Sequence, residues 1–185
     1  MSNAECTKII PRKSPESAAM LASVKRAMAI TASLNRLTFN DAEEIRTVFS
    51  DLIGQKVDDS FSLIPPFYAT GGENTRVGRN VFINQNCTMY DLGGIDIADD
   101  VMIGPNVSLI TSGHPIEPSL RRAFVIAKPI VIRRSVWIAA GATIIGGKLG
   151  TMGGGIFETV SGTSTLMNVI LTGGTFRSIP AQSLI

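Results

Sequence analysis

A mainly β fold, wound as a parallel β-helix behind a helical preface, is what this sequence predicts. Three observations carry it. Aliphatic residues recur every six positions, at Val77, Ile83 and Met89, at Ile97, Ile103 and Leu109, and at Ile132, Ile138 and Ile144. The residue after each is usually small or polar (Gly78, Asn84, Ala98, Gly104, Ala139), and the position four further on is modest in size (Val81, Cys87, Val101, Val107, Ala142). Upstream, Ile45, Val48, Phe49 and Leu52 instead follow the 3.6-residue period of an amphipathic helix. A helix cannot keep a strict period of six, and an ordinary strand alternates with period two. A short flat strand plus a corner, stacked coil on coil, satisfies the six-residue step.

The elements follow in order. Residues 1–17 form an N-terminal arm, and residues 18–64 a helical segment. Within it Met20, Val24, Ala27 and Met28 predict one helix; Asn40, with Glu43 reaching back, predicts a capping box that opens a second. Pro65-Pro66 closes this region, because proline neither continues a helix nor donates to a ladder. Residues 65–147 carry the repeat, with the aliphatic residues pointing inward and the small ones at the corners. An excursion loop at about 114–128 interrupts it, long enough in a repeat protein to suggest a cover for a site. Residues 148–185 form a divergent C-terminal tail.

Composition narrows the function. Of 185 residues, 44% are hydrophobic and 17% charged, and the net charge is +2. That charge is too small to mark a nucleic-acid groove or an anionic membrane surface. The weakly polar run from Val136 to Gly147 is shorter than the ~20 residues that span a bilayer. The sequence does not open on a basic, then apolar, then small-residue leader, so a cytoplasmic protein is expected. Cys6 and Cys87 do not make a disulfide framework, and with His114 as the single histidine no zinc site is expected. Asn86-Cys87-Thr88 and Asn106-Val107-Ser108 match the glycosylation pattern but lie inside coils. Gly141 through Lys148 has the wrong spacing for a phosphate loop, and Cys87 in an inward slot is a packing residue.

Several spaced motifs now accumulate: Pro66-Phe67, Gly78 through Cys87 (GRNVFINQNC), Ile103-Gly104-Pro105-Asn106-Val107, Gly113-His114-Pro115, Pro129-Ile130-Val131-Ile132 and Val136-Trp137-Ile138. In this order they resemble the maltose and galactoside O-acetyltransferases, hexapeptide-repeat acyltransferases whose motifs the nodulation-type sugar acetyltransferases share. The match runs over roughly residues 18–147, with its specific part between 66 and 147. The resemblance implies a left-handed parallel β-helix, an exception to right-handed crossovers. It also implies a homotrimer with active sites between neighbouring prisms, and acetyl-CoA as donor.

His114 is the candidate catalytic residue. Acetyl transfer to a hydroxyl needs a base that is neutral near pH 7, and an imidazole serves. The resemblance implies direct attack of the acceptor oxygen on the thioester, without an acyl-enzyme, with backbone N–H groups stabilising the oxyanion. It places an acceptor-binding asparagine at Asn84, where turn stabilisation is the other reading. Asp91, two residues past Met89, has three readings: a ligand for a sugar hydroxyl, a group orienting the imidazole, or a solvated turn residue. Phe82 and Met102 match positions lining the acceptor pocket, or fill space. Trp137 matches an aromatic beside the CoA arm, or packs at a coil edge. Ala140 and Gly141 follow where the family's backbone runs along pantetheine, and small residues permit that approach. Arg121 and Arg122, in the excursion, either meet a CoA phosphate or are solvated.

Two departures from the family pattern stand out. A Met-x-x-Gly-x-x-Tyr pattern followed by an acid that reaches the acceptor is replaced here by Met20, Ser23 and Arg26, and the usual acidic position before the first coils is Thr70. After Ile144, an aliphatic-Gly pair arrives at Leu149-Gly150, five residues on instead of six, and half of the 18 glycines fall between Gly146 and Gly174. A reading-frame slip near Gly147 and genuine divergence both account for this. The expected function is transfer of acetyl from acetyl-CoA to a sugar hydroxyl. The alternatives are a non-sugar hydroxyl acceptor such as an antibiotic, and a catalytically weak trimeric scaffold or binder.

Overall fold

The computed structural model describes residues 7–149, 157–158 and 176–177. The chain opens with strand β1 (Lys8–Pro11), then helices α1 (Pro15–Leu34) and α2 (Ala42–Ile53). Three rounds of strands follow: β2 (Ser62–Leu63), β3 (Phe67–Ala69) and β4 (Thr75–Val77); β5 (Phe82–Ile83), β6 (Cys87–Tyr90) and β7 (Ile95–Ile97); β8 (Met102–Ile103) and β9 (Ser108–Ile110). Strands β10 (Ser112–Gly113) and β11 (Phe124–Ala127) form the excursion. The winding resumes with β12 (Ile130–Ile132), β13 (Trp137–Ile138), β14 (Thr143–Ile145) and β15 (Gly147–Leu149), and β16 (Phe157–Glu158) pairs with β17 (Phe176–Arg177).

The winding builds three parallel four-stranded sheets, β2-β5-β8-β13, β3-β6-β9-β14 and β4-β7-β12-β15, the faces of a left-handed β-helix. Equivalent residues stack directly: Ser62, Phe82 and Met102 share one register, as do Leu63, Ile83, Ile103 and Ile138. Alternation sends one of each pair inward. Eight of the nine predicted anchors are buried and Val77 packs half-buried against them. The modest slots Val81, Cys87, Val101, Val107 and Ala142 are buried too. Each fully buried aliphatic side chain is worth about 1.5–3 kcal/mol of hydrophobic stabilisation, so the prism's stability is a sum over near-identical layers.

The corner chemistry differs from the prediction. The left-handed backbone lies three residues past six of the nine anchors, at Asn80, Asn86, Asp100, Asn106, Ser135 and Gly141, with φ between 52° and 74°. Asn and Asp tolerate this region better than other side-chain-bearing residues. The small residue directly after the anchor answers to close stacking instead. A Cβ on Gly104 would lie 2.8 Å from the Ala140 nitrogen, and one on Gly78 would lie 2.7 Å from the Asp99 nitrogen.

The helical preface also needs correction. The α1 helix starts at Pro15, capped by Ser14, whose hydroxyl accepts from the Ser17 amide. Its buried residues are Ala27, Thr31 and Leu34, whereas Met28 is exposed. No Asn40–Glu43 capping box forms. Asp41 takes the cap position, and its carboxylate accepts from the Thr38 amide and hydroxyl. The Ile45, Phe49 and Leu52 stripe of α2 is buried as predicted, and Phe49 stacks on Phe61 at 4.7 Å. Asn35 docks the end of α1 on β3 by exchanging two hydrogen bonds with the Phe67 backbone.

At the far end, β15 pairs with β12 in full register, Leu149 opposite Ile132, although only five residues separate Ile144 from Leu149. Gly146, at φ 66°, makes this tight return. The early Leu149 is therefore a shorter corner inside the winding. The rest of the tail, apart from the β16–β17 pair, lies outside the described residues, as does Cys6.

Candidate active site

His114 stands where the chain leaves the prism. Thr111, buried at the end of β9, anchors the departure: its hydroxyl donates to the Tyr90 carbonyl and accepts from the Gly93 amide, and its carbonyl accepts from the Lys128 amide. The two ends of the excursion are thereby tied together at its root. The excursion returns as β11, which pairs antiparallel with β10 on one side and with β1 on the other. Ile9 lies opposite Ile126, and Ile10 opposite Val125. The loop tip is braced by Arg121, whose guanidinium donates to the carbonyls of Ile116 and Pro115.

This three-stranded sheet and the first turns of α1 enclose a cleft of about 310 Å³, lined by Ile10, Arg12, Ser17, Met20, His114, Arg122, Phe124 and Val125. The His114 side chain is exposed at the cleft. Arg122 joins it there, whereas Arg121 is occupied with the loop backbone. The contribution of β1 escaped the sequence reading. Its signal was the Ser14-Pro15 pair, a cap followed by proline at the first helical position, which marks a helix start three residues before the expected one.

The other candidates lie elsewhere. Phe82, Met102 and Trp137 stack in register as one outward column on the β2-β5-β8-β13 face. Met102 and Trp137 are about half exposed. Asn84 follows β5 on that face, its side-chain oxygen accepting from the Gln85 amide at 2.8 Å. Ala140, exposed, and Gly141 continue the same edge, and the Gly141 amide donates to Pro105. Thr70 ends β3, its amide bonded to the Met89 carbonyl. None of these residues lines the His114 cleft within one chain.

Asp91 is engaged with its own corner. It is buried, and its Oδ2 accepts from the amides of Gly72 and Asn74 and from the Thr75 hydroxyl. Its Oδ1 has no partner among the described residues and lies in the space a Cβ on Gly71 would need. It is not a solvated turn residue, and within one chain it bonds to the corner between β3 and β4 rather than to His114. Ser23 and Arg26, where the sequence departs from the family pattern, are likewise structural. Both bond to Glu73, and Arg26 also donates to the carbonyls of Asp51 and Leu52, stapling α1 and α2 to the first coil.

Electrostatic perturbation is concentrated at a different corner. Asp99 accepts the Arg79 amide and pairs with the Arg134 guanidinium, which together hold its carboxyl down to about 2. Burial pushes the Cys87 thiol up to about 11, and its sulfur lies 3.2 Å from the Gly104 carbonyl oxygen. An inert, packed thiol follows. Among the described residues no group of three His, Cys, Asp or Glu is placed to hold a metal ion, and no helix is long and apolar enough to cross a membrane.

The three-faced prism of parallel sheets is a fold shared with solved acetyltransferases that carry hexapeptide repeats. The comparisons agree: the chain is similar to galactoside and maltose O-acetyltransferases and to a hexapeptide-repeat acetyltransferase. A galactoside O-acetyltransferase of Lactococcus lactis is 30% identical over 125 residues, covering 66% of this chain and 60% of that protein. A maltose O-acetyltransferase of Clostridium difficile superposes with a TM-score of 0.68 at 26% identity, over 75% of this chain and 73% of the other. A hexapeptide-repeat acetyltransferase of Vibrio cholerae complexed with acetyl-CoA gives 0.60 at 28% identity, again over 75% and 73%. No family model matches the chain. The chain spans between 40% and 60% of the length of the curated relatives it matches.

Proposed function

We propose that the protein transfers an acetyl group from acetyl-CoA to a hydroxyl of a small molecule, with a sugar of the maltose or galactoside type as acceptor and His114 as general base. The observation that carries this reading is the placement of the one histidine in a cleft at the root of the excursion, in a chain whose relatives are named as O-acetyltransferases.

The imidazole takes the acceptor's hydroxyl proton as that oxygen attacks the thioester carbonyl carbon. The carbon–oxygen bond forms, the carbon–sulfur bond breaks, and the CoA thiolate leaves with the proton the imidazole held. No acyl-enzyme forms, and the packed Cys87 takes no part. Backbone N–H groups near the site stabilise the oxyanion. Asn84, Thr70, Phe82 and Met102 contribute to the acceptor side, and Trp137, Ala140 and Gly141 to the CoA arm. These groups and His114 occupy separate parts of one chain, which favours a homotrimer in which neighbouring prisms complete each site. The protein acts in the cytoplasm, without a metal, nucleic acid or membrane partner.

The test is acetyl-CoA turnover, read as free CoA with a thiol reagent, across maltose, glucose, galactosides and chitin fragments, with a protein-only blank for its own thiols. Sugar-dependent release that His114→Ala abolishes supports the reading. Acetyl-CoA binding without release for any hydroxyl compound overturns it in favour of a scaffold or binder.

A further inference from the structure

Resting on His114 as the base, the cleft itself constrains the acceptor. Its eight lining residues include two guanidinium-bearing side chains, Arg12 on the segment after β1 and Arg122 before β11, and no carboxylate. Neither guanidinium forms a hydrogen bond or ion pair among the described residues, as is also true of Arg46, Arg76 and Arg133 away from the cleft, whereas the neighbouring Arg121 is engaged with the loop backbone. The two acids nearest in sequence, Glu16 and Glu117, lie outside the lining, and the Glu117 carboxylate accepts from Ser119. The rest of the lining is largely apolar, with Ile10, Met20, Phe124 and Val125 beside Ser17.

A neutral sugar offers hydroxyls that carboxylates and amides recognise, and it leaves two cations unanswered. An anionic sugar answers both halves of the cleft. Its carboxylate or phosphate takes charge-assisted hydrogen bonds from planar guanidinium donors, and the C–H face of its ring lies on the apolar lining. From the pairing of two unpartnered arginines with an acid-free, half-apolar cleft around His114, we infer that the maltose- or galactoside-type sugar of the proposed reaction carries a carboxylate or phosphate, as a uronic acid or a sugar phosphate does.

Because His114 is the single histidine, its ring protons give an NMR signal that reads occupancy of this cleft without turnover. The intact protein is titrated with glucose, glucuronate, glucose 6-phosphate and inorganic phosphate, and the same panel is run as acceptors. Saturable shifts and turnover with an anionic sugar at concentrations at least about tenfold below glucose support the inference. So does a rise of about tenfold in acceptor KM in Arg12→Gln and in Arg122→Gln, with KM for acetyl-CoA unchanged. Glucuronate and glucose 6-phosphate separate the carboxylate from the phosphate source. Equal or better use of glucose overturns it, as do arginine variants that raise KM for acetyl-CoA alone, which would assign the cations to the donor's phosphates. If nothing is turned over, the proposed activity fails, and the titration still decides on the anion. A signal that responds equally to glucose, or to no sugar, overturns the inference independently.

Discussion

The prism and the sheet that holds His114 obey opposite rules. In the prism inward side chains repeat from coil to coil: Leu63, Ile83, Ile103 and Ile138 fill the same slot of successive coils. In the β1–β11–β10 sheet nothing repeats. Strands distant in the chain meet once, antiparallel, with Lys8 opposite Ala127 and Ile9 opposite Ile126. Redundancy makes the first region stiff and legible. Singular contacts hold the second together, and that is where His114 and its cleft reside.

The contrast can be tested by separating activity from stability. The largest expected effect is on chemistry: His114→Ala should lower acetyl transfer by about 10²–10⁴-fold. Because the side chain is exposed, its denaturation midpoint should match the parent's. A shifted midpoint would show that the histidine also holds the excursion. Inside the prism the order reverses. Ile103→Ala, at a fully buried slot, should cost about 2–5 kcal/mol in denaturant unfolding. Ile10→Ala, at the edge of the core on β1, should cost roughly 1–2 kcal/mol yet reduce turnover more than its stability loss explains. Equal stability losses at the two sites would abolish the distinction between the regions.

Next in size is Gly104→Ala, whose new methyl meets backbone at 2.8–3.0 Å. It should destabilise by about 1–3 kcal/mol, and an unchanged midpoint would show that adjacent coils can slide apart. The smallest effect concerns the Asp99 corner. Its carboxyl is held at about 2, below its ordinary value of 3.8. The folded state therefore binds this proton more weakly than the unfolded chain. The stabilisation is complete above pH 4 and is lost as pH falls toward 2. Comparing parent and Asp99→Asn by thermal unfolding from pH 6 to pH 2, the gap should narrow on the acid side. A gap independent of pH would show that the corner is held by shape alone.

The sequence by itself determined the winding. A six-residue period cannot be met by a helix or an alternating strand, so Val77 through Ile144 announced the stacked coils, their inward residues and the place where the excursion breaks them. It also singled out His114, because a lone histidine between glycine and proline at the end of a coil is visible without coordinates. Corner conformations were present in the sequence but misassigned. Asn80, Asn86, Asp100 and Asn106 recur three residues past the first two anchors of each coil, yet a left-handed φ is a property of the backbone and not of hydropathy. Pairings without a period were left to the tertiary structure. The docking of β1 on β11, the inward turn of Asp91 onto Gly72, Asn74 and Thr75, and the gathering of Arg12, Arg122 and His114 around one cleft each join segments far apart in the chain. Such contacts form once, through side-chain shape and closure of the chain, so nothing recurs along the sequence to announce them.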